Sequence, residues 1–199
     1  MIEISNLSKE KPYKFFEGYY EKAFKAKQRS IEAISISSFN KMLNEVESRY
    51  VNLKYIIGNE WTFFSNYRSP KAKDFQSHDQ ISALLYWGSI NVQIRLKANI
   101  YMSSEDFSDK HFLLRSKEKN ALAISSSQSE LVESYSEVEK SFNNVLSQIS
   151  EDTQRPDFWG GFTFVPYYFE FWEGHENRLN KRHVFKLNEE NWEEWFLQP

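Results

Sequence analysis

The spacing of apolar residues changes along the first half of the chain from a helical period to a strand period. Residues 12–27 carry apolar side chains at intervals of three and four, which predicts an amphipathic helix with Pro12 in its first turn. From residue 31 the period shortens towards two, which predicts strands at 31–37, 45–57, 61–66, 81–87 and 91–102. The turn at Gly58-Asn59 predicts a hairpin over 45–66, and the almost entirely apolar segment 81–87 predicts a strand buried on both faces.

Helical and strand patterns alternate again in the second half. Helices are predicted at 69–78, 104–115, 117–124 and 130–149, a strand at 162–172, and a closing hairpin from 181–187 and 191–197. Pro166 indicates an edge or a bulge in its strand because proline has no backbone N–H. Many strands are joined by short turns, which favours an α+β fold with an antiparallel, barrel-like sheet and helices packed outside it. We expect one domain over residues 1–199, with 1–11 as a flexible N-terminal arm.

Composition excludes several classes of protein. The chain has 199 residues, with 25 Lys and Arg against 28 Asp and Glu, so no positive excess exists to recruit nucleic acid. No apolar run reaches the roughly 18 residues of a membrane span, and the polar start does not resemble a secretory signal. Cysteine is absent, which removes disulfides and thiolate chemistry. Together these features lead us to expect a cytoplasmic protein that binds neither membrane nor nucleic acid.

Aromatic residues make up 17% of the chain, and glycine occurs only 6 times. The aromatic excess is typical of a compact core, but it also suits a site for a flat ligand or a large subunit interface. No G-x-G pattern occurs, so a glycine-rich cradle for a dinucleotide or a P-loop phosphate is excluded. Any bound phosphate must therefore be held by side chains, chiefly Arg and Lys.

The residues that could carry chemistry are mostly cations and amides. The four histidines lack the spacing of a zinc site, and no G-x-S-x-G elbow is present, so neither a metal site nor acyl transfer is expected. Taken singly, the cations at strand ends are typical of solvated surface charge. Taken together and near so many rings, they suit a flat, phosphorylated ligand. This set comprises Arg49, Lys54, Lys71, Gln93, Arg115, Gln128, Ser129, Arg178 and Arg182.

The order of motifs resembles that of the pyridoxamine/pyridoxine 5'-phosphate oxidases, flavoenzymes with an FMN-binding split β-barrel of antiparallel, Greek-key-like strands. The resemblance runs from about residue 12 to Pro199. Its most specific parts are RPDFWGGF at 155–162 and EFWEGHENRLNKR at 170–182. Further matching stretches are SRYVNLK at 48–54, TFFSNYRSPKA at 62–72, ALLYWGSINVQIRLKA at 83–98, SDKHFLLRS at 108–116 and AISSSQSE at 123–130.

The resemblance implies a homodimer with FMN at the subunit boundary. Arg49 and Lys71 fall where the family holds the FMN phosphate, and further flavin positions come partly from a second subunit. These further positions are Val51, Asn52, Lys54, Phe64, Ser65, Gln93, Gln128, Ser129, Trp172 and Arg182.

The resemblance also implies a reaction: the oxidation of pyridoxamine or pyridoxine 5'-phosphate to pyridoxal 5'-phosphate, with O2 reduced to H2O2. The substrate phosphate would be held by Lys54, His111, Arg115 and Lys119. If one helix continued through 111, 115 and 119, their four-residue spacing would put them on one face, and protonated His111 would add positive charge. Arg178 and Asn180 fall at the pyridine ring and the reacting carbon and are the implied catalytic residues.

The chain departs from the family at several of these positions. Pro70 and Val92 stand where the family usually has Arg, and Glu173 stands where it has Gln. On the substrate side, His111 replaces Tyr, Lys119 replaces Ser, Asn180 replaces His and Lys181 replaces Asp. These departures leave two alternatives open. One is a related flavin oxidase that acts on phenazine precursors, and the other is a flavin- or pyridoxal-phosphate-binding module with little turnover.

Overall fold

Ten strands and five α-helices make up the part of the chain that the computed structural model describes, residues 1–150 and 152–199. The helices are α1 (Lys11–Lys25), α2 (Pro70–Ser77), α3 (Glu105–Leu113), α4 (Lys117–Ser125) and α5 (Tyr135–Gln148), and Gly88–Ile90 form a 3₁₀ turn. The strands are β1 (Glu3–Ser5), β2 (Ala33–Asn40), β3 (Glu45–Asn52), β4 (Tyr55–Ile57), β5 (Glu60–Asn66), β6 (Gln80–Trp87), β7 (Val92–Met102), β8 (Trp159–Glu173), β9 (Lys181–Asn188) and β10 (Asn191–Leu197).

The sheet is organised around β8, its longest strand. The main path of paired strands is β1-β4-β5-β8-β7-β6-β2-β3, and β9 and β10 extend from β8 as a side branch. β7 pairs with β8 from Phe162 to Glu173, whereas β5 and β9 pair with different halves of it, at 159–164 and 168–173. All these pairings are antiparallel, and β1 with β4 is parallel. The predicted α+β fold with a barrel-like sheet is confirmed.

Pro166 lies where the two halves of β8 meet. The register between β7 and β8 shifts at Lys97/Ala98, so that Lys97 faces Tyr168 and Ala98 faces Pro166. A proline has no N–H to donate to a neighbouring strand, and a bulge accommodates this loss. The bulge that Pro166 predicts is therefore confirmed, and it separates the part of β8 that pairs with β5 from the part that pairs with β9.

Aromatic rings from α1 and from the sheet form most of the core. Tyr13, Phe16 and Tyr19 are buried on the inner face of α1. Phe16 contacts Trp61 at a centroid distance of 4.5 Å, and Tyr13 packs edge-on against Phe169 at 5.1 Å. Much of the aromatic excess is therefore accounted for by core packing.

Several predicted element bounds are wrong, each for a local reason. The segment 45–57 is two strands, β3 and β4, because the pairing is interrupted at the buried Leu53 and at Lys54. The strand at 81–87 is not buried on both faces, since β6 alternates and Tyr86 is 55% exposed. The helix predicted at 130–149 begins only at Tyr135.

The predicted flexible arm over residues 1–11 is also wrong. Residues 3–5 form β1, which pairs with Tyr55–Ile57, and Ile2 is only 4% exposed. Backbone pairing with β4 and the burial of Ile2 order this segment. Its polar composition nevertheless resembles that of a disordered chain end.

Two serines determine where the helices near the site begin. The Ser104 side chain accepts a hydrogen bond from the Phe107 amide at the start of α3, and Ser116 accepts one from the Lys119 amide at the start of α4. Each satisfies an amide that has no partner within the helix. The chain is thereby broken into two helices, with Arg115 in the connection between them.

Gly160, the second residue of β8, is required by close packing. A Cβ at this position would overlap the Tyr67 hydroxyl and lie 2.9 Å from the Ser108 Oγ. The same Ser108 hydroxyl accepts a hydrogen bond from the Gly161 amide at 3.1 Å, so it cannot move away freely. The packing of α3 on β8 therefore depends on the absence of a side chain here.

We expect Gly160→Ala to lower the free energy of unfolding by about 1–3 kcal/mol, because the added methyl group overpacks this contact. Urea denaturation monitored by tryptophan fluorescence measures the change. The matched control is Gly18→Ala on the exposed face of α1, where the added Cβ has no neighbour within 4 Å apart from the adjoining helix backbone. Alanine should there stabilise the helix by up to about 1 kcal/mol. Equal stability of Gly160→Ala and the unsubstituted protein would contradict this packing argument.

Candidate functional site

A cavity of about 880 Å³ opens between β3, β5, the start of α2 and the α3–α4 connection. It is lined by rings, cations and amides from segments far apart in sequence. The structure therefore brings together twelve of the residues that the sequence predicts to bind a ligand. These are Arg49, Val51, Asn52, Lys54, Phe64, Ser65, Lys71, His111, Arg115, Lys119, Gln128 and Ser129.

The first group of cations in the cavity is Arg49 and Lys71. Arg49 on β3 donates to the Ser38 Oγ at 2.6 Å and forms an ion pair with Glu47 at 2.6 Å. Lys71, in the first turn of α2, is only 7% exposed and donates to the Ser69 Oγ at 3.2 Å. Burial first, and the charge of Arg49 second, lower the pKa of Lys71 to about 8.

Lys71 is a buried cation with no carboxylate partner within 4.0 Å in the described part of the chain. Buried charges are normally paired, because desolvation penalises the charged form. A bound anion would provide the missing partner for Lys71 and would share the hydrogen-bond donors of Arg49. The chemistry of this pair therefore fits a phosphate group.

The second group of cations is Lys54, Arg115 and Lys119. The Arg115 guanidinium lies 4.2 Å from the centre of the Trp159 ring, and its Nη2 donates to the Lys119 carbonyl at 2.7 Å. Its Nη1 is buried and has no partner among the described residues. Burial lowers the pKa of Arg115 to about 10, which leaves it charged at neutral pH. This group offers a second position for an anion.

His111 lies beside this second group but does not add positive charge to it. Its ring stacks on Phe64 at 3.7 Å, and its Nδ1 is 2.9 Å from the Tyr55 hydroxyl. Burial first, then the charges of Arg115, Lys54 and Lys119, lower the pKa of His111 to about 4. At ordinary pH His111 is therefore neutral, so the positive charge that a protonated His111 would add is not present.

The condition for one shared helix face through 111, 115 and 119 is not met, because the two helices predicted at 104–115 and 117–124 are separate. His111 is on α3, Lys119 is on α4, and Arg115 lies in the connection between the two helices. The three side chains still line one cavity, because the capped break at Ser116 turns the chain around it.

Gln128 joins the loop after α4 to β5. Its Oε1 accepts a hydrogen bond from the Ser65 hydroxyl at 3.2 Å and lies 3.4 Å from the Asn66 amide. The following residue, Ser129, has a φ of 72°, in the left-handed region that non-glycine residues seldom adopt. These contacts fix the loop at the edge of the cavity.

Five predicted residues do not line this cavity. Gln93 on β7 pairs with Trp172 on β8, and Trp172 pairs in turn with Arg182 on β9, so these three lie side by side on the sheet. Arg178, exposed and with a φ of 60°, and Asn180 lie in the turn between β8 and β9. The structure thus divides the predicted site residues into two separate groups.

Two side chains of this second group, those of Arg182 and Asn180, make hydrogen bonds to nearby parts of their own chain. Arg182 Nε donates to Glu170 at 2.8 Å, and Asn180 Oδ1 accepts from the His175 amide at 3.0 Å. Glu170 is only 2% exposed and also accepts from Arg95 at 2.9 Å. Burial alone would raise the pKa of Glu170, but the hydrogen bond from Arg182 and the charges of Arg95 and Arg182 hold it below its usual range.

Sequence reasoning missed three residues that shape these groups. Trp159 lines the cavity and carries Arg115 on its face, Tyr55 contacts His111, and Glu170 joins Arg95 to Arg182. Trp159 lies within the RPDFWGGF stretch, which could have indicated its importance. Glu170 gives a weaker signal: it is a carboxylate in a strand otherwise rich in aromatic residues.

Comparison with known proteins shows which family this chain resembles. A sequence profile described as the pyridoxine 5'-phosphate oxidase C-terminal dimerisation region matches residues 159–199, the segment that forms β8, β9 and β10. A pyridoxine/pyridoxamine 5'-phosphate oxidase of Rippkaea orientalis is 31% identical over 190 residues, covering 94% of this chain and 89% of the relative. A protein named pyridoxine/pyridoxamine 5'-phosphate oxidase 2, from Hydrogenovibrio crunogenus, is 31% identical over 98% of this chain and 91% of its own length.

Solved structures share the fold. PhzG from Burkholderia lata, in complex with tetrahydrophenazine-1-carboxylic acid, has a TM-score of 0.89 at 22% identity, covering 95% of this chain and 93% of its own. A pyridoxamine 5'-phosphate oxidase-related, FMN-binding protein from Nostoc punctiforme has a TM-score of 0.79 at 11% identity, covering 96% and 99%.

The fold is that of the FMN-binding split barrels, and the two relatives are named as oxidases. The chain belongs to the pyridoxine/pyridoxamine 5'-phosphate oxidase family. None of the helices in the described ranges is long and apolar enough to cross a membrane.

We expect Lys71→Met to raise the free energy of unfolding of the ligand-free protein at pH 7 by up to about 3 kcal/mol, because it removes a buried, unpaired charge. The pKa of Lys71 is lower in the folded than in the unfolded state, so Lys71 itself becomes less costly as pH rises from about 8 towards 10.5. The gain from methionine should therefore shrink over this range.

Urea unfolding at pH 7 and pH 10 measures this difference. The matched control is Lys73→Met, an exposed lysine on the same helix, which should change the stability by less than about 0.5 kcal/mol at both pH values. A clear loss of stability in Lys71→Met at pH 7 would contradict the claim that the charge of Lys71 is uncompensated in the folded protein.

Proposed function

We propose that this protein is an FMN-dependent oxidase that converts pyridoxamine or pyridoxine 5'-phosphate to pyridoxal 5'-phosphate. One observation carries the proposal: a single cavity contains two groups of cations with aromatic rings beside them. Arg49 and Lys71 come from β3 and α2, whereas Arg115 and Lys119 come from the α3–α4 connection and α4, so the two groups are supplied by different segments. Two anion sites suit a phosphorylated cofactor and a phosphorylated substrate bound together.

FMN would occupy the part of the cavity next to β3 and α2. Arg49 and Lys71 would hold its phosphate, which supplies the anion that the buried Lys71 lacks. The ring system would lie along the remaining predicted flavin positions on the cavity wall. These are Val51, Asn52, Lys54, Phe64, Ser65, Gln128 and Ser129.

We propose that a second copy of the chain completes this site. Gln93, Trp172 and Arg182 lie side by side on the sheet, away from the cavity of their own chain. Two of them belong to the segment 159–199 that matches the family's dimerisation region. A two-fold dimer would bring this group to the partner's cavity, and each dimer would then hold two equivalent sites.

The substrate phosphate would bind Lys54, His111, Arg115 and Lys119, and Arg178 and Asn180 would orient the pyridine ring. When bound, FMN would supply the electron-accepting chemistry of an oxidase, with O2 as the final acceptor and H2O2 as its product. The contribution of the chain is to bind and align the two rings and to stabilise developing charge through Arg178. Asn180 can donate or accept a hydrogen bond but cannot transfer a proton as histidine could.

The second group of cations favours a phosphorylated substrate over a phenazine precursor, because a phenazine-type acid carries no phosphate. The likeness to PhzG concerns the fold and does not identify a substrate. A binding module with little turnover would have the same two anion sites but would release no peroxide. Measurements of substrate oxidation and of peroxide release therefore separate the three possibilities.

We expect complementation between two variants that each lose FMN. Arg49→Ala removes a phosphate contact on one chain, and Arg182→Ala removes a contact that we assign to the other chain. Each should weaken FMN binding about tenfold to a hundredfold, the loss expected for a hydrogen bond to a charged group. In a mixed dimer, one of the two sites keeps both arginines, so FMN should bind tightly at half of the sites.

Flavin fluorescence titration of co-expressed, doubly tagged mixed dimers measures the fraction of tight sites. Arg68→Ala, an exposed arginine outside the cavity, is the matched control and should leave FMN binding unchanged. Tight binding by a monomer, or mixed dimers with no tight sites, would show that the second copy does not complete the site.

We expect a strong preference for pyridoxine 5'-phosphate over unphosphorylated pyridoxine, because the cations around Arg115 bind the phosphate. Arg115→Ala should reduce kcat/KM for the phosphate ester roughly thirtyfold, which corresponds to about 2 kcal/mol of transition-state stabilisation. The kcat/KM for pyridoxine should change little. Peroxide release measures both rates. Lys117→Ala, an exposed cation outside this cavity, is the matched control.

The outcome also decides between substrates. Equal rates on both compounds, unaffected by Arg115→Ala, would exclude a phosphate site at this position. Turnover of tetrahydrophenazine-1-carboxylic acid with no turnover of pyridoxine phosphate would favour the phenazine-type alternative. FMN binding without peroxide from either substrate would favour a binding module.

A further inference from the structure

We propose that Tyr55 is a positioning residue that holds His111 as a neutral hydrogen-bond donor, with the ring hydrogen on Nε2 and directed at the substrate phosphate. The proposal rests on the phosphate site of the proposed function and adds to it a specific tautomer and the residue that selects it. Tyr55 itself does not line the cavity, so it acts through His111.

The His111 ring is held on one face and at one nitrogen. Phe64 stacks on the face at 3.7 Å with an interplanar angle of 14°, and Tyr55 meets the ring edge-on at 5.4 Å. The Tyr55 Oη lies 2.9 Å from Nδ1. The stack fixes the plane of the imidazole, and the hydrogen bond at Nδ1 selects between the two orientations in that plane.

The distance between the Tyr55 Oη and Nδ1 allows either atom to donate, and we assign the Tyr55 hydroxyl as the donor. Burial, and to a lesser degree Glu3, raise the pKa of Tyr55, so its hydroxyl keeps its hydrogen. In residues 1–150 and 152–199 this hydroxyl has no other hydrogen-bond partner than His111 Nδ1. If the phenol donates, Nδ1 accepts, and the single hydrogen of a neutral imidazole must be on Nε2.

Nε2 is free to serve a ligand. It has no partner among the described residues and is not one of the buried unpartnered atoms, so it remains accessible at the cavity that His111 lines. A neutral N–H can donate to a phosphate oxygen without adding repulsion to the neighbouring cations.

The charged groups around His111 all favour the neutral ring. Lys54 precedes β4, Arg115 lies in the α3–α4 connection and Lys119 is on α4, and each lowers the pKa of His111 after burial itself. The rings that pack on it from β5 and β8, Phe64 and Trp159, carry no charge. No carboxylate within the described residues pairs with His111, so nothing offsets the three cations.

The hydrogen position can be measured directly in the FMN-bound, substrate-free protein. Long-range ¹H–¹⁵N correlation spectra of histidine-labelled protein distinguish Nε2–H, Nδ1–H and doubly protonated rings, and His111→Phe assigns the signal. We expect His111 to be neutral, with its hydrogen on Nε2, from pH 5.5 to 8.5. A protonated ring at pH 6, or a hydrogen on Nδ1, would overturn the proposal whatever the enzyme's substrate.

Tyr55→Phe keeps the aromatic ring and removes only the hydroxyl. We expect the His111 signal to become a mixture of tautomers and its titration to move towards ordinary pH. Tyr101→Phe is the matched control, because Tyr101 also donates a hydroxyl hydrogen bond, to Glu60, but lies outside the cavity. An unchanged His111 spectrum in Tyr55→Phe would show that Tyr55 does not select the tautomer.

Binding of pyridoxine 5'-phosphate, measured by calorimetry, tests the role of the donor. His111→Phe should weaken binding about tenfold, the loss of one hydrogen bond to an anion, whereas His111→Tyr, another neutral donor, should remain within about threefold of the unsubstituted protein. Tyr55→Phe should weaken binding about threefold and add a dependence on pH below 7.

Two outcomes separate this proposal from the proposed function. If pyridoxine phosphate does not bind even the unsubstituted protein, the function fails, while the spectra still decide the tautomer. If it binds normally but His111→Phe binds equally well, the function stands and the donor role of His111 is overturned.

Discussion

The length of β8 relative to its neighbours is the constraint on which the rest of the structure depends. One edge of the strand pairs with β7 almost throughout, and the other edge is shared between β5 and β9. The two neighbours meet at Pro166, which cannot donate a ladder hydrogen bond. β5 carries Phe64 and Ser65 to the cavity, and β9 carries Arg182 away from it. One strand therefore determines both groups of candidate site residues.

Most cations that line the cavity have no carboxylate within 4.0 Å among the described residues, although Glu32 and Glu47 also line it. Arg49 has Glu47, but Lys71 has no acidic partner in the described ranges, and three further cations surround a neutral His111. On the sheet the opposite holds, since Glu170 binds both Arg95 and Arg182. Charges therefore have two roles in this protein. Paired charges on the sheet support the fold, whereas unpaired cations in the cavity create affinity for an anion at a cost in stability.

Sequence reasoning was most successful where a residue's role follows from local pattern or motif order. Strand alternation located β7, serine capping located α3, and the motif order selected Arg49, Lys71 and Arg115, which line one cavity in the structure. It failed where distant contacts decide the outcome. The neutral state of His111 depends on burial and on cations from three segments, and β1 is ordered by pairing with Tyr55–Ile57 rather than by its own composition.

The divided edge of β8 also has a consequence for the order of folding. β8 pairs with β9, and β9 pairs with β10, and each pair is consecutive in sequence. These contacts therefore close only short loops. Pairing of β5 with β8 joins Trp61 to Phe164 and must close a loop of roughly a hundred residues, at a greater entropic cost. The C-terminal three strands can therefore form a local nucleus first, and the half of the barrel that carries the cavity closes onto it later.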